Sequence, residues 1–118
     1  MITREFSEAF AKDWIEAWNA RDLDRILSHY AEDFEMSSPI IRSLVGEASG
    51  TLKGKPAVRG YWAKALAAIP DLRFELVNVF TGAATTTVCY RGHRGLAAEV
   101  FHFGKSGKVT LAFAHYAA

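Results

Sequence analysis

The sequence predicts an α+β domain in which helices come first and an antiparallel sheet follows, and three observations predict it. Phe6, Phe10, Trp14 and Trp18 recur every four positions near the N-terminus, which at about 100° per residue puts them on one stripe of a helix. After Asp71 the apolar period drops to two in LRFELVNVF, TTTVCYR, LAAEVFHF and VTLAFAHY, the period of strands. Glycine-containing turns rather than long crossovers separate these four segments, so they fold as a meander.

The first helix runs from about Ser7 and buries its aromatic stripe, with Ala9 and Ala17 beside it. Asp22 caps a second helix, LDRILSHY, whose Leu23, Ile26, Leu27 and Tyr30 share a side and whose end is expected near Ala31. DFEMS alternates as a first strand, and Pro39 forces Ser38 out of the helical region. Residues 40–54, with three glycines and mixed polarity, read as a loop or irregular hairpin over a pocket, with a lid role left open. Pro56 suits the first turn of a third helix, in which Val58, Tyr61, Trp62, Ala65, Leu66 and Ile69 follow the helical repeat until Pro70. Gly60 inside that helix points to close packing there.

If GKSG is a tight turn between the last two strands, Phe101 faces Thr110, Glu99 faces Ala112, Ala97 faces Ala114 and Tyr116 falls opposite Gly95. The other side then carries Leu96, Ala98, Val100 and His102 against Val109, Leu111, Phe113 and His115. Both sides are mostly apolar, whereas a sheet with one wet face alternates cleanly. The helices cover one side, so a second subunit is expected on the other, in a homodimer.

The 118 residues, 50% hydrophobic and 23% charged, fit one soluble globular domain over 1–118. A net charge of +1 without clustering gives no reason to expect nucleic acid or membrane as partner. One cysteine, Cys89, and a polar start make the cytoplasm the default location. His102 and His115 lie about six residues apart in the expected register, roughly 20 Å, too far to share an ion. His29 and His93 belong to no ligand-spaced motif, and no metal is expected. No nucleotide, hydrolase or metalloprotease motif is present.

The run WNARDLDRILSHYAEDFEMSSP, the helix GK..VRGYWAKAL and HFGKSGKV near the end together resemble the nuclear transport factor 2-like superfamily, most closely its SnoaL-like and ketosteroid isomerase-like branch. The resemblance implies a cystatin-like cone: three N-terminal helices on a curved antiparallel sheet, a pocket between them and frequent dimers. In the ketosteroid isomerases a base precedes the proline of the first strand, while a Tyr on the first helix and a late protonated Asp donate to an oxyanion. Those positions fall here on Ser38, Trp14 and Phe101. Ser has no useful basicity and Phe donates nothing, so that isomerase mechanism is not expected.

Glu99 is the leading candidate catalytic acid, because the register puts it on the concave side opposite small alanines; the other possibility is a wet position near the sheet end. Asp13, inside the apolar arc of the first helix, is a second candidate, pointing either to the pocket mouth or to solvent. Trp14, Trp18, Tyr61, Trp62, Phe101, Tyr116 and Ser38 are candidate ligand contacts, the aromatic ones equally readable as core. Tyr90 is a further hydrogen-bonding group, and Arg91 or Arg94 the cation of an acid–arginine–acid arrangement like that of related epoxide hydrolases. The expectation is a pocket for a small hydrophobic or aromatic ligand, serving a cofactor-independent isomerase, cyclase or lyase. The alternative is a non-catalytic ligand-binding or protein-interaction module.

Overall fold

The computed structural model describes residues 1–117. The chain runs α1 (Arg4–Asn19), α2 (Leu23–Leu27), β1 (Tyr30–Ser37), α3 (Pro39–Val45), β2 (Thr51–Lys53), α4 (Lys55–Ala68), β3 (Glu75–Thr81), β4 (Thr85–Gly92), β5 (Gly95–Phe103) and β6 (Val109–Tyr116). The strands form one curved, open sheet in the order β2-β1-β6-β5-β4-β3. Only β1 and β6 pair in parallel, and β3 to β6 are the expected antiparallel meander.

Side chains start the helices where the sequence offers caps. Thr3 accepts from the Phe6 N–H at 3.0 Å and Asp22 from the Arg25 N–H at 3.1 Å. Phe10, Trp14 and Trp18 of α1 are buried, but the buried arc turns toward Ala11 and Ile15 and leaves Ala9 exposed. α2 stops at Leu27, short of the expected end near Ala31, because His29 and Tyr30 are drawn into the sheet. The Val109 N–H donates to the His29 carbonyl at 2.9 Å, and a strand pairing overrides the helical spacing.

Residues 40–54 follow the irregular-hairpin alternative rather than the loop, with an unexpected helix inside it. The Ser38 hydroxyl accepts from the Ile40 N–H at 3.2 Å, Pro39 occupies the first turn, and Gly46, at φ 78°, ends α3 in the left-handed region with its N–H on the Arg42 carbonyl. β2 then pairs with β1, Met36 opposite Leu52. The fold thus has four helices where the sequence predicts three. In α4 the expected close packing at Gly60 is absent: a Cβ there would meet nothing within 4 Å.

In the last hairpin Phe101 faces Ala112, Glu99 faces Ala114 and Tyr116 faces Ala97, a shift of two residues from the tight-turn expectation. The pairing is irregular between His102 and Phe103, where one strand carries an extra residue. A two-residue shift preserves the side each residue takes, except across the bulge. There Val109 is fully buried and Thr110 exposed, the reverse of the expectation. The same shift leaves His102 and His115 opposite Leu111 and Ala98. Leu76 on edge strand β3 is 40% exposed despite pairing with buried Tyr90. On the face away from the helices, Ala98, Val100, Leu111 and Phe113 are half-buried and Leu96 is exposed.

One hydrophobic core joins α1, α4 and the concave side of the sheet. Phe10 meets Phe101 and Phe103 edge-on, at ring-centre distances of 4.8 and 5.0 Å. The hydroxyls of Ser7 and Thr86, both buried, bond at 2.7 Å and tie α1 to β4. Among the described residues no helix is long and apolar enough to cross a membrane.

Candidate functional site

Between the helices and the meander lies a cavity of about 320 Å³, at the small end of the range of ligand pockets. All three tryptophans of the chain, Trp14, Trp18 and Trp62, form part of its wall. Phe74 stacks on Trp14 with ring centres 5.6 Å apart. Asn19 at the end of α1 holds Phe74 at both backbone groups, donating to its carbonyl at 2.9 Å and accepting from its N–H at 2.7 Å. Gly92 completes that end, since a Cβ there would come within 3.1 Å of the Phe74 ring. On the α3 side Ile40 and Leu44 add apolar wall, so the segment read as a covering loop is a built side of the cavity.

Glu99 lies in this wall and is 4% exposed. The Tyr90 phenol, one diagonal away on β4, donates to its Oε1 at 3.1 Å. Burial raises the Glu99 pKa from 4.5 to about 7, with the Tyr90 bond restraining the rise. Burial, and after it the nearby Glu99 charge, pushes the phenols of Tyr30, Tyr61, Tyr90 and Tyr116 upward. The arrangement is one acid that titrates near neutrality beside four phenols that keep their protons. Such an acid can both take and give a proton at pH 7.

Eight of the residues singled out in the sequence meet here: Trp14, Trp18, Tyr61, Trp62, Tyr90, Arg94, Glu99 and Tyr116. Ser38 does not line this cavity; its hydroxyl serves α3 and accepts from Tyr61 at 3.5 Å, so it acts on the site through Tyr61. Phe101, expected as a ligand contact, is fully buried and packs against Phe10 and Trp14 behind the wall. The Trp14 N–H, the one donor left at the two oxyanion positions, is engaged by the Tyr30 oxygen at 2.9 Å. The buried Trp18 N–H has no partner among the described residues.

Asp13 is outside the cavity. The turn of the buried arc toward Ala11 and Ile15 leaves it on the edge facing α2, where it accepts from Arg25 and, at 2.6 Å, from His29 Nε2. The Arg25 guanidinium, and less strongly His29, hold its carboxyl below the usual range. This cluster joins α1 to α2 and brings no second acid to Glu99.

Phe74, expected on the concave side by its alternation, lines the cavity together with Arg94 and with His93, to which sequence reasoning assigned no role beyond the absence of a metal motif. His93 and Arg94 form the two-residue turn between β4 and β5, with Gly92 paired to Gly95. The GHRG turn signal was visible; the end of the sheet at which the cavity opens was not.

Residues 11–115 match the family model of the SnoaL-like domain. A SnoaL-like protein of unknown function from Burkholderia thailandensis is 53% identical, with a TM-score of 0.95 over 99% of this chain and 98% of that one. An NTF2-like protein from Cytophaga hutchinsonii, 15% identical, superposes with a TM-score of 0.72 over 99% of this chain and 92% of that one. A protein with a cystatin-like fold from Methylobium petroleophilum, also 15% identical, superposes at 0.77 over 99% and 79%. No curated protein matches the sequence. By the family model and the identity to its Burkholderia relative, the chain belongs to the SnoaL-like family, on a nuclear transport factor 2-like, cystatin-like fold.

Proposed function

We propose that the chain binds a small, largely apolar or aromatic molecule in the cavity and that Glu99 moves a proton on it, in a cofactor-independent isomerisation, cyclisation or elimination. The observation that carries this reading is a buried glutamate in an aromatic wall with a pKa of about 7. In the ionised form Glu99 takes a proton from a carbon next to a carbonyl; the phenols of Tyr61 and Tyr116 are neutral donors for the enolate oxygen; the Glu99 acid then returns the proton. The three indoles exclude water and fix the plane of the ligand.

The test uses 2-tetralone, a small aromatic ketone, in deuterated buffer, with exchange at its α-carbons followed by proton NMR. The protein should accelerate exchange with an inflection near pH 7, and Glu99→Gln should reduce the rate by about 10²-fold or more. Binding of the ketone without exchange would reject proton transfer and leave the rival reading of a binding module, which Ser38 and Phe101 favour, standing where the ketosteroid isomerases carry a base and an oxyanion donor. The proposal includes a homodimer through the apolar outer sheet face. Neither nucleic acid nor membrane has a place in it at a net charge of +1.

A further inference from the structure

Arg94 sits on the cavity rim, in the turn between β4 and β5. Its neighbour Arg91 faces Glu75 at 3.9 Å; Arg94 makes no ion pair among the described residues. Its guanidinium nevertheless acts on the interior, where its charge favours ionisation of the Tyr61 and Tyr116 phenols, against the stronger effect of burial. Among the described residues Glu99 is the only acid in the wall. Whenever Glu99 holds its proton, the charge on the cavity is positive and lies at the rim, while the interior offers indole and phenyl faces.

A cation at the mouth of an apolar slot complements a molecule with one negative group at the end of a flat apolar body. Resting on the reading of this cavity as a ligand site, we infer that the ligand is an aromatic carboxylate, its carboxyl group paired with Arg94 at the rim and its ring system against Trp14, Trp18 and Trp62. Arginine suits this role because its planar fork meets both carboxylate oxygens at once. The arrangement also orients the ligand: with the charged end held at the rim, the opposite end enters toward buried Glu99.

Every tryptophan lines the cavity, so intrinsic fluorescence reports its occupation directly. The probes are 2-naphthoate and its uncharged isostere 2-naphthamide, titrated at pH 7. Naphthoate should bind about tenfold more tightly, as a charge-assisted pair is worth on the order of 1.4 kcal/mol at a rim, and the difference should shrink as salt rises. Arg94→Gln should erase the preference, Arg94→Lys should retain part of it, and Glu99→Gln should keep it. Equal affinities for the two probes, or an undiminished preference in Arg94→Gln, would overturn the inference and leave the proposed function standing. Failure of both probes to bind would reject the two together. A charge preference without exchange of tetralone would remove proton transfer alone.

Discussion

Glu99 has a consequence for stability that is independent of any ligand. Its carboxyl has a pKa of 4.5 in the unfolded chain and about 7 in the folded one. Below pH 4.5 both states hold the proton and burial exacts no charge penalty; between these values the unfolded chain ionises first and stability falls; above about 7 the loss is complete. The interval corresponds to roughly 3 kcal/mol. Glu99→Gln keeps an acceptor for Tyr90 but cannot ionise, so it should match the unmodified protein near pH 4 and exceed it at pH 8. Thermal melts across that range are the measurement, and parallel curves would mark Glu99 as an ordinary glutamate. Tyr90→Phe removes the donor that restrains the rise and should move the inflection above 7. At this scale Glu99 and the indoles were legible because a period of two or of four fixes the side a residue takes. Phe101 has the correct side too, yet lies behind Trp14, since depth within a core depends on which helix side chain covers a position. Asp13 was misplaced by the rotation of one helix, which Ala9 and Ala11 as residue types do not reveal.

At the scale of elements, α3 was hidden in plain signals: a capping Ser38, Pro39 in the first turn and Gly46 just past the end. Three glycines within residues 40–54 outweighed them, although Gly46 ends a helix rather than loosening a loop. The parallel pairing of β1 with β6 had no local signal, because the partners lie more than 70 residues apart in sequence. Arg21 is similar: its guanidinium donates to the carbonyls of Leu66 and, at 3.3 Å, of Ile69, closing the C-terminal end of α4 from a distant turn. Gly60 lies mid-helix in α4, exposed, and a Cβ there meets nothing within 4 Å. Replacing glycine by alanine at such a position removes backbone freedom from the unfolded chain and adds no clash. Gly60→Ala should stabilise the protein by about 0.8 kcal/mol, read as a raised denaturant midpoint with an unchanged slope. A destabilised variant would mean that α4 packs against something at this face in solution.

Taken whole, the molecule has a cavity on one side of its sheet and an unpartnered apolar patch on the other. Ala98 and Val100 on β5 lie opposite His115 and Phe113 on β6, with Leu111 opposite His102, and among the described residues these apolar side chains stay only half-buried. Apolar side chains at the centre of a sheet are half-covered by their own neighbours, so their partial burial does not replace a covering layer. A second copy meeting this patch about a two-fold axis would set the same residues against themselves, and such a self-complementary contact closes at two. The expected result is a dimer by sedimentation at micromolar concentration. Val100→Arg should shift it to monomer, since it puts a guanidinium into the middle of the contact, where an unpaired charge costs several kcal/mol to bury. The cavity lies across the sheet from Val100 and takes its wall from α1, α3, α4 and the concave residues. Naphthoate should therefore still quench the tryptophans of the Val100→Arg monomer. A monomeric unmodified chain would refute the dimer while leaving the cavity untouched; loss of quenching in the variant would show instead that association shapes the site.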